Sequence, residues 1–341
     1  MNILYTFPNF PLSVCTQTSN SPLPNEKLIE AHIVEKEDGS IKFLPYVDPL
    51  DIYISQHNNC IGDTWRTHNE KFTQLILQYE TSSLTEIAGG SGFVFELYQS
   101  QNPNFKKWKV IDINPSERYS HPKVEKIQGL YEPSQIDEGD VVISSHFVEH
   151  IFDLEKFLIE LREKNPKYHI FSLPNFKKFA INNFPSTIMF EHPNYLPEDY
   201  LDHILGENGW NIVDKIYYVD HSIFYVTQPS KSKIEGIKFD IKNDIINLID
   251  FYKKRIENIK DQQFYVFGAH FTYYYLINLG IDVNQIIAVI DNDLDKQNKR
   301  MYGTSTKVIS PNDLPEGSNV FLEMGPYNEE IKKQLTNVNF I

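Results

Sequence analysis

The chain is short of cysteine and of positive charge, and it has no long apolar run. Each shortage removes a class of function. Only Cys15 and Cys60 occur in 341 residues. They are too far apart for a metal knuckle and too few for a disulfide framework, so a reduced, cytoplasmic protein is expected. Against 32 basic residues stand 46 acidic ones, a formal charge of -14. A surface of that sign repels a nucleic-acid backbone. The opening MNILYTFPNFPLSV has no basic start and is broken by Pro8 and Pro11, so it reads neither as a signal peptide nor as a spanning helix. No later stretch stays apolar for 18 residues, which argues against a membrane partner. A small-molecule substrate is the partner left, and oligomeric state has no signature in the sequence.

What is there falls into sections. Residues 1–70 hold many Pro, Asn and Ser and only short apolar runs, which predicts a loop-rich arm with a few strands or helical turns. Over 71–228 short β-branched runs (LTEIAG, WKVIDI, DVVISS, YHIFSL) alternate with GFVFELYQSQ and DLEKFLIELREK, whose apolar residues recur at three and four. Such alternation predicts βαβ units on a parallel sheet. WNIVDKIYYVDHSIFYVTQ reads as two strands joined by a tight turn. Residues 229–260 are a polar linker and one amphipathic helix. Over 261–341 a second alternation follows, from QFYVFGA to PYNEEIKKQL. The fold class expected is α/β: a Rossmann-like domain followed by a second, smaller α/β domain.

Chemistry enters at TEIAGGSGF. A strand that ends in glycines and opens a helix lets backbone come close to a ligand and offers unsatisfied N–H groups. Dinucleotide sites use the spacing GxGxxG; here Gly89, Gly90 and Gly92 follow Glu86 and Ala88. E-x-A-G-G-S-G is a variant of the acidic-x-G-x-G-x-G loop of S-adenosylmethionine (SAM) sites, with Ala88 at the first glycine. Glu86 at the mouth would suit the cofactor's cationic end. WKVID ends in Asp112, about twenty residues on, where a carboxylate accepts both ribose hydroxyls, a requirement common to NAD and SAM. Gly129-Leu130 end the next strand, where an adenine ring would lie.

Two further constellations are polar. In TIMFEHPNYL, Glu191 and His192 stand among Ile188, Met189, Phe190, Pro193 and Tyr195, and burying them requires partners. In SSHFVEH, directly after a strand, His146 is better placed to face a ligand than Glu149 or His150 on the turn that follows. Three potential ligands within five residues permit a metal, but with no fourth nearby in sequence no metal site is expected. The aromatic run YVFGAHFTYYYL reads as core, and Gly268-Ala269 with Asp291 as a degenerate dinucleotide turn.

In their order, EIAGGSG, SSHFVEHIFDLEKFL, FSLPNF, IMFEHPNYL and the tail from FYVFGAHFTYYYL through IDNDLDKQNKRMYGTS to EMGPYNEEI resemble the class I SAM-dependent methyltransferases. The likeness is specifically to the sugar C-methyltransferase family, which acts on nucleotide-linked keto-deoxysugars, and it runs from about residue 50 onward. The resemblance implies a Rossmann-like catalytic domain with SAM as cofactor and a sugar pocket closed by the C-terminal domain. It also implies His192 as a base removing the proton next to a keto group, with Glu191 orienting it and Tyr195 donating to the enolate oxygen. Tyr53 and His68 resemble family positions near cofactor and substrate, and Tyr53 and His150 are expected at the substrate. Two features depart from the family. Its paired-cysteine zinc module is missing, so no zinc is expected, and Asn114 stands where a glutamate is usual, which leaves the ribose to Asp112. O-methyl transfer to a surface-glycan component, an NAD-dependent epimerase or dehydrogenase, and a binding protein that lost the chemistry stand as alternatives.

Overall fold

A computed structural model of the protein describes residues 1–53, 62–79 and 83–341. Cys60 and most of the DIYISQHNNC segment lie outside the described residues. The chain forms two compact units. One joins Met1–His57, Lys177–Tyr195 and Phe239–Ile341, and the other joins Asn58–Phe176 and Leu196–Lys238.

The unit built on Asn58–Phe176 and Leu196–Lys238 carries seven strands: β1 (Ser83–Ile87), β2 (Lys107–Asp112), β3 (Val124–Gln128), β4 (Val141–Ser145), β5 (Tyr168–Pro174), β6 (Trp210–Tyr218) and β7 (Ser222–Pro229). In space they run β3-β2-β1-β4-β5-β7-β6. The five strands β1 to β5 pair in parallel, and β7 enters antiparallel between β5 and β6. This is the Rossmann-like, mostly parallel α/β sheet that the sequence led us to expect. The runs are short and β-branched because a sheet covered on both faces needs no polar alternation. Val141, Val142 and Ile143 of β4 are all buried.

Four helices matter here: α1 (Asp63–Gln78), α2 (Phe93–Gln101), α3 (Leu154–Glu163) and α4 (Glu198–Glu207). The helix α1 begins inside the stretch expected to be loop. Its His68, Phe72, Leu75 and Ile76 repeat at helical spacing and are buried. Phe72, Leu75 and Ile76 share one core with Leu84, Phe95, Tyr98, Trp108 and Phe224. A polar remainder hides this stripe in the sequence.

Within the other unit, strands Asn2–Pro11, Leu28–Glu35, Ile41–Leu44 and Asn194–Tyr195 make an antiparallel sheet. A five-stranded, all-parallel sheet is built by Phe264–Phe267, Ile286–Ile290, Val308–Ile309, Asn319–Phe321 and Asn339–Phe340. The N-terminal stretch thus supplies three of the strands of the antiparallel sheet. Phe10 packs on Phe271 and Tyr275, and Arg300, only 2% exposed, is ion-paired with Glu26. The compact units are thus cut differently from the boundaries drawn on the sequence. Composition marks where polar residues gather, but strand pairing across distant segments decides which pieces share a core.

Candidate functional site

Between β1 and β4 the order of the sheet reverses, so the chain leaves their carboxyl ends in opposite directions and opens a crevice there. In open α/β sheets that crevice is where ligands bind. Both strands end in backbone strain. Ala88, after β1, has φ 54°, and His146, after β4, has φ 50°. A left-handed residue other than glycine costs about 1 kcal/mol or more and is concentrated at functional sites.

The glycines of the first loop are explained by Tyr119. A Cβ on Gly89 would lie 2.1 Å from the Tyr119 hydroxyl, and one on Gly92 would meet Arg118 and Tyr119 at 3.0 and 3.2 Å. Gly90 and Gly92 also need positive φ, at 51° and 77°. The Tyr119 oxygen is 2.9 Å from both Glu86 Oε2 and the Gly89 carbonyl oxygen. One hydroxyl proton cannot serve both. A carbonyl only accepts, so the full chain forms when Glu86 is protonated, donates to Tyr119, and Tyr119 donates to Gly89. Burial pushes Glu86 up to about 8, which supplies that proton at neutral pH.

Glu86 therefore does not stand at the mouth as a charge for a cation. It is 2% exposed, and its Oε2 also accepts from Trp108 Nε1 at 3.0 Å. The sequence shows an acid beside a glycine loop, but the inward face of β1 is decided by the pleat. The carboxylate beside the loop is Asp112, half-buried at the end of β2. It accepts from Gly90 N at 2.9 Å and Asn114 N at 2.6 Å. Each oxygen keeps lone-pair capacity. Next to it, Gly129 has nothing within 4 Å of a Cβ position, and Leu130 is 42% exposed. An open glycine and an exposed leucine beside a strand-end carboxylate leave room for a planar ring.

On the β4 side stands a group the sequence did not announce. His68 from α1, His146 after β4 and His221 from the β6–β7 turn each bring a ring nitrogen within 4.8 Å of the others. The Trp65 ring lies edge-on to all three, with centroids 4.8 to 5.1 Å away. His146 Nδ1 is 3.2 Å from Glu149 Oε1, and its Nε2 is 2.8 Å from Ser222 Oγ. His221 Nδ1 is 2.6 Å from that same hydroxyl. Burial lowers His146 to about 3 and raises Glu149 to about 7, so neutral imidazoles are favoured. His68 and His221 are also held well below the usual histidine range by burial. His146 thus faces the crevice as expected, and Glu149 and His150 fall on the short helical turn Val148–His150. His150 is half-buried.

The other expected residues belong to the unit built on the chain termini. Glu191 and His192 are each 6% exposed, in a turn where His192 N donates to the Met189 carbonyl at 2.9 Å. Phe190 packs on Phe10, with ring centroids 5.9 Å apart. Tyr195 is 1% exposed, and its hydroxyl donates to Asp244 Oδ2 at 2.9 Å. That hydroxyl was expected to serve an enolate; Asp244, remote in sequence, holds its proton. Tyr53 follows the short helix Pro49–Ile52 and is half-buried.

No protein-family model matches the chain, and no curated protein matches it. Among solved structures it is similar to the mitomycin 7-O-methyltransferase MmcR at 12% identity and a TM-score of 0.40, over 48% of this chain and 54% of that one. It is similar to the CurJ carbon methyltransferase at 15% identity and 0.39, over 50% and 56%. It is also similar to a SAM-dependent methyltransferase from Clostridium acetobutylicum at 13% and 0.37, over 50% and 93%. For the first two the match spans little more than half of the relative's length.

Proposed function

We propose that the protein is a SAM-dependent methyltransferase acting on a nucleotide-linked sugar or related glycan precursor. One observation carries the cofactor half. Asp112 sits at the carboxyl end of β2, pinned by Gly90 N and Asn114 N beside the open Gly129, so it is fixed in position with acceptor capacity to spare. A pre-positioned carboxylate of this kind suits the vicinal hydroxyls of a ribose. The glycine spacing favours SAM over NAD, because it departs from GxGxxG.

The substrate half, and the roles of His192 as base with Glu191 as its orienter, rest on the resemblance of IMFEHPNYL to the sugar C-methyltransferases. Transfer to a hydroxyl is the second reading, and it would need a base equally. Calorimetry tests the cofactor: SAM and S-adenosylhomocysteine are expected to bind and NAD not. Asp112→Ala is expected to weaken SAM tenfold or more, since a charge-assisted hydrogen bond contributes about 1.5–3 kcal/mol. Binding of NAD without SAM overturns the assignment. His192→Gln separates base from packing, with turnover expected to fall about 10²–10⁴-fold at unchanged SAM affinity.

A further inference from the structure

We infer that His68, His146 and His221 form a binding site for one divalent first-row transition metal, zinc foremost. The inference goes beyond the methyltransferase reading and does not depend on it. Its geometry lies within one unit: a ring nitrogen from each of three histidines, all within 4.8 Å of one another, at the carboxyl-end edge of the sheet. Imidazole is the ligand that zinc, copper and nickel share, and three protein ligands leave a further position for water or a substrate oxygen.

The tautomer of His68 is the strongest argument. Its Nδ1 lies 3.2 Å from Asn69 Oδ1. A carbonyl oxygen only accepts, so Nδ1 carries the proton and Nε2 presents a bare lone pair. That Nε2 is buried in a residue with 0% exposure and has no hydrogen-bond partner among the described residues. A buried polar atom left so costs about 1–3 kcal/mol, and coordination removes the cost. The oriented imidazole is what a metal ligand requires: one nitrogen tied to an acceptor, the other turned to the ion.

His146 has a carboxylate beside it instead of a hydrogen-bonded tie: Glu149 Oε1 lies 3.2 Å from Nδ1 and has no hydrogen-bond partner among the described residues, so it offers negative charge next to the ring. Between His146 and His221 lies one hydroxyl, Ser222 Oγ, which links the two rings by donating to one and accepting from the other. Tetrahedral zinc with bonds of about 2.0–2.1 Å holds its nitrogens about 3.4 Å apart, so the rings must close by about 1.4 Å. Rotation of side chains covers that distance.

The expectation of no metal rested on missing thiolates and on spacing within SSHFVEH. Neither speaks to histidines 75 or more residues apart. The test uses the full chain, stripped with a chelator and titrated with Co²⁺. One equivalent per chain is expected, with the visible absorption of a low-coordinate nitrogen site and displacement by Zn²⁺. His68→Gln and His221→Gln are each expected to weaken Co²⁺ by about a hundredfold or more, and Asn69→Ala by about tenfold. Half-buried His121, in the same unit but outside this cluster, serves as control: His121→Gln should bind as the wild type does. Failure of the wild type to take up stoichiometric metal overturns the inference whether or not the variants fold. So does unchanged Co²⁺ affinity in a folded His68→Gln protein.

Discussion

Gly89 is a glycine because of a hydroxyl. Placing a methyl 2.1 Å from Tyr119 forces either the loop or the ring aside. Gly89→Ala is therefore expected to cost about 1–3 kcal/mol in urea unfolding, the usual range for overpacking. In a Tyr119→Phe background the nearest atom is removed, so the same substitution should cost measurably less. An additive double mutant would show that the two do not meet. The glycine loop was legible in the sequence, but its reason was not. Nothing in EIAGGSG points to a tyrosine 30 residues later, and only the fold brings Tyr119 beneath the loop.

Two crossovers in this chain are built alike. After β1, Gly90 N donates to Asp112 Oδ2 at 2.9 Å; after the strand Phe264–Phe267, Ala269 N donates to Asp291 Oδ2 at 2.8 Å. Both carboxylates end the following strand. Each also accepts from the backbone N two residues on, Asn114 N at 2.6 Å and Asp293 N at 2.8 Å, and they differ in their surroundings: Asp291 has Lys296 Nζ 3.6 Å away and is 13% exposed. Gly268 is closed off as well, since a Cβ there would meet Met324 Sδ at 2.2 Å. The second crossover has a lysine beside its carboxylate and a covered glycine, while the first stands beside the open Gly129. Sequence reading took the first as a SAM-type loop and the second as a degenerate dinucleotide turn, since only one glycine stands in the second where three stand in the first.

Tyr195 ties elements together in a similar way. Its strand, Asn194–Tyr195, is joined through Asp244 to the first turn of the helix Lys242–Ile259, and Lys177 Nζ shares that carboxylate at 3.0 Å. Tyr195→Phe is expected to lower stability by about 1 kcal/mol, the net value of one hydrogen bond, and to leave turnover per folded molecule within a few fold. A loss of a hundredfold or more in turnover, at unchanged stability, would return the hydroxyl to the chemistry.

At the scale of the whole molecule, buried titratable groups set a pH profile for the metal-free protein. Burial pushes His146 and His169 down to about 3 and holds His68 and His221 well below 6.5. It also raises Glu86 to about 8 and Glu149 to about 7 from an ordinary 4.5. Between pH 4.5 and 6.5 the unfolded chain binds protons on four histidines that the native chain leaves neutral. The native chain keeps two on its glutamates. The unfolded state then holds the excess, so stability rises with pH. Above 6.5 the histidines no longer differ, while native Glu86 and Glu149 still hold protons that unfolded glutamates have lost, so stability falls. A melting temperature with a maximum near pH 6.5 is expected in chelator-treated protein. Glu86→Gln should flatten the descending side, and a melting temperature climbing steadily from pH 6.5 to 8 would contradict these protonation states.

By itself the sequence determined the α/β class, the succession of strands from LTEIAG to WNIVDKIYYVDHSIFYVTQ, the glycine loop and Asp112. These rest on local periodicity, turn residues and fixed offsets, which a chain carries whatever its partners. Tertiary structure alone decided that Glu86 points inward, where burial raises its pKa, that Asp244 accepts the Tyr195 proton, and that the N-terminal strands share a unit with Lys177–Tyr195 and the C-terminal sheet. It alone gathered His68, His146 and His221. The physical reason is the same in each case. Desolvation and hydrogen-bond partnership depend on which atoms are neighbours in space, and for residues 30 to 270 positions apart only the packed sheets and helices set that distance.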